Sequence, residues 1–249
     1  MSKAGGNKAL AMRLDRLLAN LGYGSRREVQ SLVDAGEVRL DGTVLNDAGQ
    51  RLAITADLSQ RMSVNGRPLD PPPPLVLVMH KPLGVVCSHK EAGRNVYELL
   101  PARWRRRNPA ISTIGRLDAD TSGLLLLTDD GGFLHRVISP KSHIEKRYRI
   151  ELDRPLQGHE ADLFASGTLM LESETTPLRP ARLEALSPTS AWLTLTEGRY
   201  HQVRRMFAAA GNHVTALSRD RIGALDLPAD LAPGDYRQMN ESQRAALFA

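Results

Sequence analysis

The chain has 249 residues, 41% hydrophobic and 24% charged, with 33 Lys+Arg against 28 Asp+Glu for a formal net charge of +5. That composition fits a soluble globular protein of one large or two smaller domains, expected in the cytoplasm. The single cysteine, Cys87, excludes an internal disulfide and a multi-cysteine zinc site, and no apolar run approaches the ~18 residues of a membrane span. A pI near 9.6 permits a polyanionic partner such as RNA.

Residues 1–11 lack the apolar core of a secretory signal and read as a flexible basic lead-in. Residues 12–69 read as a small module. Leu14, Leu17, Leu18 and Leu21 recur at helical spacing, and Gly22 stops that helix. Ser25 and Glu28 are spaced as a capping box, opening a second helix with Val29, Leu32 and Val33 on its apolar face. Asp41-Gly42 and Asn65-Gly66 signal hairpin turns in a small sheet. Arg26 and Arg27 flank a helix N-terminus, where backbone N–H groups and guanidinium forks suit phosphate, and Arg13 and Arg16 extend the same face. A solvated helix surface would look much the same. The stretch RLDRLLANLGYGSRREVQSLVDAGEVRLDG resembles the S4 RNA-binding domain. The resemblance implies that Arg13, Arg16, Ser25, Arg26 and Arg27 face a structured RNA.

The proline run at residues 70–74 reads as a semi-rigid spacer in polyproline II, before a second domain spanning residues 75–249. That domain alternates strand-like stretches (LVLVMHKP, GLLLLTDD, EKRYRIEL, ARLEAL, SAWLTLTEG, HVTALSRDRIGALDL) with the helical HEADLFASG, YHQVRRMFAAAG and NESQRAALF. The pattern predicts an α+β domain on a mostly antiparallel, mixed sheet behind a small S4-like module. RWRRR, Arg103 to Arg107, reads as an exposed basic loop that either touches phosphates or only aids solubility.

The densest chemistry lies in GRLDADTSGLLLLTDDGG, which holds Asp118, Asp120, Asp129 and Asp130. Asp129 and Asp130, before two glycines, read as turn residues. Asp118 and Asp120, two apart in an extended loop, share a face. The scattered histidines give no metal-ligand spacing, and a glycosidase-type pair needs carboxylates from separate segments. What is left is a single ionised aspartate beside an arginine. No glycine-rich nucleotide fingerprint is present.

This stretch resembles the central motif of the pseudouridine synthases, in the branch that carries an S4 domain and modifies ribosomal RNA. KSHIEKRYRIEL is similar to that family's second motif, and EGRYHQVRRMFAAAGNHVTALSRDRIGALDL to its third, in the form found where the substrate is small-subunit 16S RNA. The resemblance implies a cofactor-free and metal-free isomerase, acting as a monomer on ribosomal RNA, 16S being the first candidate, either as free RNA or within a small-subunit assembly intermediate. It places the catalytic aspartate at Asp118 and makes Asp120 a loop organiser. Tyr148 then packs against the target base, Arg204 pairs with the catalytic carboxylate, and Arg116 holds the flipped nucleotide's place. Lys146, Arg199, Gln202 and Arg205 fall among the residues expected at the RNA, and Lys81 at the edge of the cleft. A 23S synthase of the same branch, a non-catalytic RNA-binding assembly factor and, more distantly, a metal-dependent nuclease are the competing readings.

Overall fold

The computed structural model describes residues 11–88 and 91–249. The basic lead-in therefore lies outside the described residues, apart from Ala11. Two compact units form: one from the residues up to Leu75 together with Leu100–Ser112, the other from Val76–Leu99 together with Thr113–Ala249.

The first unit contains β1 (Ala11–Arg13), α1 (Leu14–Asn20), α2 (Arg26–Asp34), β2 (Val38–Leu40), β3 (Thr43–Val44), β4 (Arg51–Ala53), α3 (Leu58–Arg61), β5 (Met62–Val64) and β6 (Arg67–Pro68). β1 pairs with β4, and the others form a small sheet in the order β3-β2-β5-β6. The helical leucines Leu14, Leu17, Leu18 and Leu21 pack with Val29, Val33, Val38, Met62 and Val64 into its core. The capping box at α2 is formed: the Ser25 hydroxyl accepts the Glu28 N–H, and the Glu28 carboxylate accepts the Ser25 N–H. At Asp41-Gly42 and Asn65-Gly66 both residues have positive φ, as a two-residue hairpin turn requires.

The proline run is anchored rather than free. Asp70 takes two hydrogen bonds from the Arg103 guanidinium, at 2.6 and 2.9 Å, and its N–H donates to the Tyr23 hydroxyl. Arg103 also lies 4.1 Å over the Tyr23 ring. Here the structure differs from a linear division at the prolines, because Leu100–Ser112 folds with the first unit. RWRRR is accordingly not an exposed loop. It forms a 3₁₀ turn, Ala102–Arg106, in which Trp104 is buried, as is the following Arg107, while Arg105 and Arg106 remain exposed. The turn packs so closely on Gly22 that a Cβ there would lie 2.5 Å from the Arg103 carbonyl oxygen.

The second unit holds β7 (Val76–Lys81), β8 (Val85–Val86), β9 (Arg94–Asn95), β10 (Ser112–Ile114), β11 (Thr121–Thr128), α4 (Gly131–Ile138), β12 (Lys146–Leu152), α5 (Glu160–Ala165), β13 (Arg182–Ser187), β14 (Ser190–Leu195), α6 (Gln202–Ala209), β15 (Val214–Ile222), β16 (Leu225–Asp226), β17 (Tyr236–Gln238) and α7 (Glu241–Ala246). Its main sheet runs β13-β14-β12-β15-β11-β7-β17, with β10 on β11 and β16 on β15. The sheet is mixed: β11 and β15 are parallel at its centre, whereas β12 on β15 and β7 on β11 are antiparallel. Leu124 to Leu127 of β11 are wholly buried, because alternate residues enter opposite faces of a covered sheet. Leu124 and Leu126 join Val76, Val78, Phe133 and Val137 in one core. Among the described residues no helix is long and apolar enough to cross a membrane.

One helix departs from the sequence expectation. Asp130 does not close a turn but caps α4, its carboxylate accepting the N–H groups of Gly132 and Phe133. The two glycines hid the helix start, since paired glycines read first as a turn.

Candidate active site

The loop from Gly115 to Asp120 leads into β11, the most buried strand of the sheet, and its backbone is fastened carbonyl by carbonyl. Lys81, at the end of β7 and wholly buried, donates from Nζ to the carbonyls of Asp118 (2.9 Å), Thr121 (2.9 Å) and Pro82 (3.0 Å). The Gly84 N–H donates to the Ala119 carbonyl, and Arg204 Nη2 donates to that of Asp120. Lys81 thus lies beneath the loop rather than along the cleft. Burial lowers its pKa from the ordinary lysine value.

With its backbone held, Asp118 turns its carboxylate outward, 31% exposed and 3.5 Å from His201 Nε2. His201 sits at φ +48°, a left-handed conformation that histidine adopts more readily than most residues, immediately before α6. Its ring stacks on that of Tyr200, with centroids 3.9 Å apart and planes at 15°.

Arg204 is the clearest departure from expectation. Its guanidinium reaches Asp120, at 2.8 Å, and not Asp118. The Val214 carbonyl fixes the other end of the guanidinium at 2.8 Å and so aims the group at the outer carboxylate. Asp120 is therefore the loop residue tied by a basic partner, and Asp118 is left facing the cleft.

The cleft has a volume of about 720 Å³ and is lined by Asp118, Lys146, Tyr148, His201, Arg204 and Arg219 among others. Tyr148, on β12, is buried against β15, where it stands opposite Arg219. Arg219 is itself 2% exposed; its Nε donates to the Leu124 carbonyl and its Nη1 approaches the Tyr148 hydroxyl at 3.4 Å. The sequence does not reveal this buried arginine as a structural element of the site, because a charge inside an apolar strand pattern reads as a solvent-facing residue. It is paired in register with Gly123 of β11. Gly123 stands beside it at φ +106°, and a Cβ there would meet the Arg219 backbone oxygen at 2.1 Å. Lys146, at the start of β12, has its pKa pushed down to about 8, first by burial and then by Arg219 and Arg179.

Several residues expected at the RNA have internal partners instead. Arg199 bonds Glu174 and Glu197 and the carbonyls of Thr176 and Pro177. Gln202 is buried between the Glu197 carboxylate and the Arg199 N–H, and Arg205 bonds Glu174. Glu174, distant in sequence, and Glu197, close by, use up these donors. Arg147, Arg149 and Arg221 are paired with Asp220, Glu151 and Asp226. Arg116 pairs with Glu91 at the surface yet still borders the cleft. In the first unit, Arg13 is bound to Asp15 and the Ser25 hydroxyl serves its helix, whereas Arg16, Arg26 and Arg27 are exposed. Among the described residues no group of three or more His, Cys, Asp or Glu side chains is placed to hold a metal ion.

Comparison with known proteins bears on both units. Residues 75–209 match the family model described as RNA pseudouridylate synthase, and residues 12–57 match that of the S4 domain. The chain is 40% identical over 240 residues to ribosomal small subunit pseudouridine synthase A of Escherichia coli (strain K12), a match covering 95% of this chain and 100% of that one. It is 40% identical over 237 residues to the protein of the same name in Vibrio cholerae, again over 95% of this chain and 100% of the relative. A crystal structure of a pseudouridylate synthase superposes with a TM-score of 0.65 at 33% identity, covering 95% of this chain and 99% of the other.

Proposed function

The chain belongs to the RNA pseudouridylate synthase family, and from that premise we propose that it converts one uridine of bacterial 16S ribosomal RNA to pseudouridine, as a cytoplasmic monomer, with Asp118 as the acting carboxylate. The 16S assignment is supported by full-length similarity to enzymes named for the small ribosomal subunit. The residue assignment is supported by one observation above the rest: Asp118 faces the cleft from a backbone tied at every carbonyl from Asp118 to Thr121, whereas Glu197, the other cleft-lining carboxylate, is bonded to Arg199 and Gln202.

The reaction breaks the N1–C1′ bond of uridine, turns the base and joins C5 to C1′. Substrate and product are isomers, so the net reaction consumes no oxidant or reductant. Asp118 either attacks C1′ or removes the 2′ proton to give a glycal, and both routes need one ionised, well-positioned carboxylate. The uridine must leave its stack, at a cost of a few kcal/mol. Tyr148 offsets part of this by packing against the extruded base. Lys146, in the same cleft, is cationic at neutral pH and supplies positive charge for the phosphate backbone. Arg204 acts at one remove, holding Asp120 and with it the loop. On the first unit Arg16, Arg26 and Arg27, together with Arg105 and Arg106, form the exposed cationic groups for docking on RNA.

The test is tritium release from 5-tritiated uridine in 16S RNA, with chemical mapping of pseudouridine in rRNA from cells lacking the protein. Asp118→Asn should reduce release to background without lowering Tm, while Asp120→Asn should keep measurable turnover. The reverse ranking would move the catalytic role to Asp120. Complete 16S modification in the deletion strain, with a site missing from 23S RNA, would reassign the substrate.

A further inference from the structure

Tyr200 is the most exposed of the large hydrophobic side chains in the described structure, at 73%, and it lines the same cleft as the candidate catalytic carboxylate. A lone exposed aromatic ring needs no explanation by itself. This one is held in place. One face is covered by His201, at 3.9 Å and 15°. A ring so covered and still largely exposed keeps its other face open to water. His201 is fixed in turn: its carbonyl accepts the Arg205 N–H at the start of α6, and its Nε2 lies 3.5 Å from Asp118. On either side in sequence, Arg199 is tied to Glu174 and Glu197, and Gln202 is buried against Glu197. The backbone around Tyr200 is thus pinned by ion pairs while its own hydroxyl has no protein partner among the described residues. The polar anchors belong to its neighbours, and the ring is presented outward in a set orientation.

We propose that Tyr200 is a stacking platform for a second unpaired base, the neighbour of the target uridine in the RNA. The inference rests on the reading that Asp118 acts on an extruded uridine. Extrusion leaves the adjacent base without its stacking partner. Tyr148 lines the cleft where the target base is to be held, so Tyr200, one ring layer out from His201, is placed for the next base rather than for the target. A π face accepts any base, so the contact adds affinity and fixes the backbone register at Asp118 without reading sequence. The ring is already oriented before RNA arrives, which limits the entropy lost on stacking.

The experiment measures tritium release and RNA binding with 16S and 23S transcripts for wild type, Tyr200→Ala, Tyr200→Phe and Tyr200→Trp. Tyr200→Ala should raise KM by about 5- to 150-fold, the range that one base–aromatic stack provides, with kcat within about twofold of wild type. Phe and Trp should restore wild-type KM. The decisive substrate is a short RNA spanning the mapped uridine, with the nucleotide on either side replaced in turn by an abasic one. On one of the two, wild type should fall to the level of Tyr200→Ala, and Tyr200→Ala should be impaired no further. A wild-type KM for Tyr200→Ala, a Phe variant as impaired as the Ala variant, or additive effects on both abasic RNAs would each overturn the platform. Wild type inert on both transcripts and on the corresponding subunit assembly intermediates would instead refute the underlying isomerase reading, and that result is read before any variant is compared.

Discussion

Lys146 and Gly123 show how far single positions constrain the site. Lys146 is charged in the folded and the unfolded chain below about pH 8, and there its burial is a cost to folding. Between about 8 and the ordinary lysine value of 10.5 the folded chain alone sheds the proton, so that cost is relieved as pH rises. Affinity for RNA phosphate moves the opposite way. Lys146 should therefore make wild type bind RNA less tightly but gain thermal stability through this window, and Lys146→Met should show a smaller change in both when Kd and Tm are followed from pH 7 to 10, the buried Lys81 still contributing to the rise in Tm. At Gly123 both the positive φ and the approach of the Arg219 backbone forbid a side chain. Gly123→Ala should lower stability by roughly 2–4 kcal/mol in urea denaturation, through combined backbone strain and overpacking. It should also lower turnover in the molecules that still fold, because β15 carries Arg219 behind Tyr148.

Elements with strong local signals were legible in the sequence. The α2 capping box, the two hairpin turns and the doubly buried β11 rest on chemistry between residues close in the chain. Asp118 and Asp120 were alike on residue grounds, and the resemblance of GRLDADTSGLLLLTDDGG to a family motif is what singled out Asp118. Features decided by residues far apart were not legible. Nothing near Arg204 in sequence reveals that the Val214 carbonyl steers it to Asp120, nor that Glu174 draws off Arg199 and Arg205. The 3₁₀ turn after Leu100 belongs to the same class, since its basic spelling suggests solvent while Trp104 and Arg107 are buried. The two arginines it does expose give a prediction at this scale. The double substitution Arg105→Ala, Arg106→Ala should flatten the dependence of log K on log salt for 16S RNA, by about 0.7–0.9 for each phosphate that these arginines neutralise. Turnover at saturating RNA should hold, and an unchanged slope would remove this turn from the RNA interface.

At the scale of the whole molecule, two compact units are threaded by one chain that leaves the first at Leu75, returns to it at Leu100 and leaves again at Ser112. The proline run is thus one crossing among several. A fragment starting at Leu75 would carry Leu100, Trp104 and Ile111, all buried in the intact protein, without the rest of the unit to which they belong. It should bind the dye ANS and melt below the full chain; a fragment as stable as the full chain would show that those side chains find other cover. The same threading bears on how such a protein can be recombined. A chimera that exchanges the N-terminal unit as one continuous stretch would leave behind Asp70's partner and the turn that packs on Gly22. A working exchange between relatives has to carry two separate pieces of sequence, with their joins at the same crossings.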